Sequence, residues 1–166
     1  MGYDIGNVVA NLIFAYDNGV AAGDTAFCDW ALQAIVDTIN LFCEKFLTVF
    51  DECVTDLMAK TKGFKQWYLN SILADTAAYA GTELIRRTVG MAQVKDVTTI
   101  ADEDKRAFAE RVNILCAKDY IMHPATPAAR CLPPTPCKSK RTDATCLPGN
   151  SPYSQCNNKY LREYTL

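Results

Sequence analysis

Two adjacent arginines, Arg86 and Arg87, sit inside the apolar stretch Ala74 to Asp96, ADTAAYAGTELIRRTVGMAQVKD, and carry the least ordinary local chemistry in the chain. A guanidinium stays charged and presents a planar fork that matches the oxygens of a carboxylate or a phosphate. Neighbouring helical positions differ by about 100°, so at least one of the pair lies beside the apolar stripe and reaches for an anion. Two kinds of anion fit. In the first case Arg86 pairs with a carboxylate of its own fold while Arg87 is solvated; in the second the pair faces a ligand as an anion clamp.

The element that must position them is a helix from about Phe64 to Thr88. Ala77, Ala80, Leu84 and Thr88 recur at a spacing of three to four, with Tyr79, Ile85 and Val89 adding apolar area beside them. Gly90 follows as a helix-ending glycine, and Ala59 to Gly63 reads as the preceding loop. A long helix from Asp24 or Thr25 is expected upstream. Its core stripe reads as Phe27, Trp30, Ala34, Thr38, Leu41 and Lys45, shifting face to Phe42, Phe46, Phe50, Val54 and Leu57.

The first helix is expected over about Asp4 to Tyr16, with Asp4 as cap or loop buttress, Asp17-Asn18-Gly19 as a turn and Gly23 closing the loop. Thr98 or Thr99 with Asp102 predicts the cap of a last helix from about Ile100 to Ile121, whose apolar face is Phe108, Val112, Leu115 and Cys116. No alternating strand pattern occurs in residues 1–122. The expected fold class is mainly α.

Composition divides the chain near Met122. Residues 1–122 carry 11 Lys/Arg against 17 Asp/Glu, and residues 123–166 carry six against two, with all seven prolines and the one histidine. The second part is expected to be an irregular, disordered tail, because proline opposes regular structure and its apolar residues are scattered. Its Cys131, Cys137, Cys146 and Cys156 fit no standard zinc spacing. Cys28, Cys43 and Cys116 read as buried small apolar residues. Cys43 and Cys53 would share one helix about 15 Å apart, too far to bond.

A formal charge of −2 gives no reason to expect nucleic acid or an anionic membrane as partner. The apolar run Val8 to Tyr16 lacks a basic n-region and is too short for a bilayer span, so the expectation is a cytoplasmic protein.

Asp75-Thr76, Ala80-Gly81, Ile85-Arg86-Arg87-x-Val89-Gly90-x-Ala92-x-Val94-x-Asp96, Ile100-x-Asp102 and Arg106-Ala107 resemble the C-terminal part of the 5-methylthioribose kinases. Gly2-Tyr3-Asp4-Ile5-Gly6 with Ala10-Asn11-Leu12, and Asn40-Leu41-Phe42-x-Glu44-Lys45-Phe46, are similar to two further blocks of that family, in the same order. The resemblance implies the helical part of the C-terminal lobe of a protein-kinase-like fold over residues 1–122. It also implies a parent that uses ATP and Mg2+ to phosphorylate the anomeric hydroxyl of methylthioribose in methionine salvage.

Carried over by position, the family's sugar- and phosphate-binding arginines are Arg86 and Arg87. No glycine-rich nucleotide loop, catalytic-loop base or pair of metal-binding acids is identifiable, so no catalytic, cofactor or metal residue is assigned to this chain. The expectation is a lobe fragment of a longer kinase, inactive alone and without cofactor. The alternative is a non-catalytic helical module whose exposed face takes a partner or a second copy, as a homo-oligomer.

Overall fold

The computed structural model describes residues 1–125, and all regular structure among them is helical. The elements are α1 (Gly2–Ala22), α2 (Thr25–Cys53), α3 (Phe64–Val89), a single turn α4 (Lys95–Thr98) and α5 (Glu103–Met122). The mainly-α expectation holds. The four tail cysteines, and everything from residue 126 on, lie outside the described residues.

α1 and α3 form the centre, with α2 against α1 and α5 against α3. Glycines set both central seams. Gly2 faces Asp75 and Thr76 while Gly6 faces Thr76, Tyr79 and Ala80, so α1 and α3 run parallel. A Cβ at Gly6 would stand 2.7 Å from the Thr76 carbonyl oxygen, and one at Gly81 would stand 2.8 Å from the Ala117 carbonyl oxygen. Each seam is therefore a close backbone approach that a larger residue would block. Around the first seam pack Val9, Ala10 and Phe14 of α1 with Leu69, Leu73, Ala77, Ala80 and Leu84 of α3. Phe14 and Leu84 are fully buried, and burial of such a side chain contributes about 1.5–3 kcal/mol.

Several local expectations were overridden by packing. α1 does not stop at Tyr16, and Asp17-Asn18-Gly19 is not a turn: the helix runs on to Ala22 because each of the three residues finds a tertiary role. Asp17 is buried, the Asn18 side chain donates to the Asp96 carbonyl at 2.7 Å, and Gly19 packs against Phe27 and Cys28 of α2. Gly23, left-handed at φ 76°, ends the helix as expected. Asp4 caps nothing; it sits exposed in the first turn, 3.2 Å from the amino terminus.

Asp24 does cap α2, its carboxylate accepting from the Phe27 amide at 3.0 Å. The helix ends at Cys53, short of Val54 and Leu57, and its buried residues are Cys28, Ala31, Ile39 and Cys43. Trp30 and Leu41, expected in the core, are exposed, because only one narrow stripe of α2 meets α1. Phe42, Phe46 and Phe50 are half-buried and stack along the helix towards Phe64 and Tyr68.

Cys28 and Cys43 are buried as expected, and burial pushes both thiols up; Cys116 is half-buried. Cys43 and Cys53 do share α2, and neither is in a disulfide.

The last helix also starts later than expected. Asp102 itself is its cap, accepting from the Asp104 and Lys105 amides at 3.0 and 3.1 Å, so Thr98 and Thr99 play no part in it. Its buried face is Ala109, Asn113 and Ala117, one position round from the expected Phe108, Val112, Leu115 and Cys116. Small residues face inward because Gly81 draws the two backbones together.

That rotation buries a polar pair. Asn113 of α5 is fully buried and Asp17 of α1 nearly so. Asp17 Oδ2 and both side-chain polar atoms of Asn113 lack hydrogen-bond partners. Burial drives the Asp17 carboxyl up to about 7, and Asn113, facing it, offsets only part of the rise.

Candidate functional site

α3 delivers the arginines in its last turn, where the helix dipole favours cations. Beneath them lies Glu83, whose side chain is 7% exposed. Its carboxylate accepts from Arg86 Nε at 2.9 Å and from Arg86 Nη2 at 2.6 and 2.7 Å, and also from Arg87 Nε at 2.8 Å. Arg87 Nη1 reaches the Ala92 carbonyl at 3.5 Å. Burial alone would raise the Glu83 carboxyl, but hydrogen bonds and charge from the two guanidiniums outweigh it and hold the group below its usual range. The same hydrogen bonds and charge raise Arg86, with a smaller push from Tyr3 of α1.

Arg86 thus does hold a carboxylate of its own fold, as the first alternative supposed. Arg87, expected to be solvated in that case, holds the same one. The cluster of two cations and one anion keeps a net positive charge. The Arg86 side chain is 57% and the Arg87 side chain 32% exposed, and the hydrogen bonds to Glu83 and Ala92 use neither Arg86 Nη1 nor Arg87 Nη2.

Gly90 closes the helix as expected, with its amide on the Arg86 carbonyl at 3.1 Å and in extended backbone at φ −80° and ψ 175°. A Cβ at Gly90 would collide with that carbonyl oxygen. The glycine is thus required by crowding against the arginine turn, with no positive φ involved.

No protein-family model matches the chain. The methylthioribose kinase of Cronobacter sakazakii is 32% identical over 126 residues, which cover 74% of this chain and 32% of that protein. Methylthioribose kinase 1 of Oryza sativa subsp. japonica is 32% identical over 142 residues, covering 73% of this chain and 32% of that protein. The methylthioribose kinase of Yersinia enterocolitica is 32% identical over 126 residues, with 74% and 32% covered. This chain is a distant relative of the methylthioribose kinases. It spans about a third of the length of the curated relatives it matches.

In this methylthioribose kinase-like chain the helical architecture fits the helical part of a kinase-like C-terminal lobe. Among the described residues no helix is long and apolar enough to cross a membrane. Nor do three metal-ligating side chains of the His, Cys, Asp or Glu type gather at one place among them.

Glu83 went unnoticed in the sequence although its signal was present. It precedes Arg86 by three residues and Arg87 by four, the two spacings at which helical side chains meet.

Proposed function

We propose that this chain supplies sugar-phosphate-facing helices of a methylthioribose kinase, with Arg86 and Arg87 as the substrate-binding pair. The parent reaction is ATP-dependent phosphorylation of methylthioribose at its anomeric hydroxyl, in methionine salvage. The observation that supports this reading is the partly exposed pair of guanidiniums, net positive over Glu83, in the segment that resembles the family most densely.

A guanidinium beside the acceptor hydroxyl neutralises charge on the phosphoryl group in transit and aligns it through two parallel hydrogen bonds. ATP and Mg2+ supply the phosphoryl group and its charge neutralisation in the intact family. The described residues gather no three metal-ligating side chains to hold Mg2+, and no step through ATP or Mg2+ is assigned to this chain.

Binding arginines without a nucleotide site cannot align the reactants. Incubating the chain with methylthioribose, ATP and Mg2+ is therefore expected to yield no methylthioribose 1-phosphate. ADP release that depends on methylthioribose and vanishes in Arg86→Ala would overturn this and make the chain a complete enzyme.

A further inference from the structure

One buried carboxylate holding two solvent-facing guanidiniums is more than a surface ion pair. Arginine is rich in rotamers, and an exposed pair left to itself samples many of them. Here Glu83 engages the Nε edge of both side chains, at 2.9 Å for Arg86 and 2.8 Å for Arg87, so both forks are fixed from below. The edges left over, Nη1 of Arg86 and Nη2 of Arg87, belong to one helical turn.

We propose that Glu83 is a positioning residue, which pre-orients Arg86 and Arg87 so that their outward edges meet a phosphoryl-bearing ligand together. This rests on the anion-clamp reading of the arginines. It makes the two alternatives for Arg86 a single arrangement: the pairing within the fold is what prepares the clamp.

The sign of one substitution separates positioning from charge. Glu83→Gln raises the net charge of the cluster by one, so charge alone would tighten binding by about threefold for each unit of anion charge some 6 Å away in water, or about tenfold for a dianion. Loss of pre-orientation acts the other way on both side chains, up to about tenfold for each, so the net result is expected to be binding weakened on the order of tenfold. Sulfate is a suitable probe, since it mimics a phosphoryl group and keeps its charge across the working pH range.

The experiment is an NMR titration of sulfate into the wild-type chain and Glu83→Gln, following backbone amides of residues 83–91 and the Nε–Hε signals of both arginines. Weaker binding in the variant, with both Nε–Hε signals broadened and the core amides unmoved, is the expected result. Equal or tighter binding in the variant would overturn the positioning role while leaving the clamp. Absence of wild-type shifts at 83–91 would overturn the clamp itself and this inference with it.

A second measurement needs no variant. In the wild-type chain sulfate should bind less well as acid protonates Glu83, against the general trend of a protein that gains positive charge. Binding that strengthens steadily into acid would equally overturn the proposal.

Discussion

Raising the pH from 3.8 towards about 7 is expected to destabilise the helical body progressively, and Asp17→Asn to remove that dependence. The carboxyl titrates at its ordinary 3.8 when unfolded and near 7 when folded, because burial beside Asn113 disfavours its charge. A group whose pKa is raised by folding adds stability in full below its unfolded value and loses it as pH rises through the folded one. At 1.36 kcal/mol per unit, the whole change is on the order of 4 kcal/mol, a large part of the usual 5–15 kcal/mol for a domain.

Glu83 works in the opposite direction and in another window. Its carboxyl is held below 4.5 in the folded chain, so its contribution is present above that value and is lost on further acidification. Urea unfolding at a series of pH values should therefore give a slope between 3.8 and 7 that disappears in Asp17→Asn, leaving the acid limb in place. A variant with the wild-type slope, or wild-type stability that rises across this window, would contradict the assignment.

The second large effect is expected at the glycine seams. Gly6→Ala would place a Cβ 2.7 Å from the Thr76 carbonyl oxygen and 2.9 Å from the Ala80 nitrogen, both backbone atoms of α3. Gly81→Ala would meet the Ala117 carbonyl oxygen at 2.8 Å and Tyr120 Cβ at 3.0 Å. Neither contact is relieved by rotating a side chain end; a helix has to move. Overpacking of this kind costs about 1–3 kcal/mol, against a gain of about 1 kcal/mol from replacing glycine by alanine within a helix.

Gly6 belongs to α1 and Gly81 to α3, and a Cβ at Gly6 would reach the Ala80 nitrogen next to Gly81, so the two effects are expected to couple. Net of that gain, the double variant is expected to lose about 2 kcal/mol and to melt roughly 5–10 °C lower. A calorimetric midpoint unchanged or raised would mean that the helices do not approach as closely as Gly6 and Gly81 imply.

These two predictions also show where a linear reading succeeds and where it stops. Helical periodicity located α3 and α5 to within a few residues, and the chemistry of Asp24 and Gly23 marked the α1–α2 corner, because those signals are local. The face of each helix that is buried depends on its neighbours. Asp17-Asn18-Gly19 has turn chemistry, yet Phe27, Asp96 and Asn113 from three other elements claim those residues and the helix runs through. The inward turn of Ala109, Asn113 and Ala117 was likewise hidden, since large apolar residues flank them and only the glycine opposite favours small ones.

At the candidate site the arginines stood out by type, whereas their common anchor did not. A carboxylate at i and guanidiniums at i+3 and i+4 is ordinary on a solvated helix. What distinguishes Glu83 is that it is buried, and burial is a tertiary property.

The claim that matters most is that Arg86 and Arg87 face a sugar phosphate, and titration of methylthioribose 1-phosphate into the chain, followed by NMR, tests it most directly. Shifts centred on residues 83–91 are expected, with a dissociation constant on the order of millimolar, since each charge-assisted pair contributes about 1.5–3 kcal/mol. Arg86→Lys or Arg87→Lys should abolish them, because lysine offers a point charge in place of a fork. No shifts in the wild-type chain, or the same weak shifts in both lysine variants, would contradict it and leave two arginines that serve only the fold.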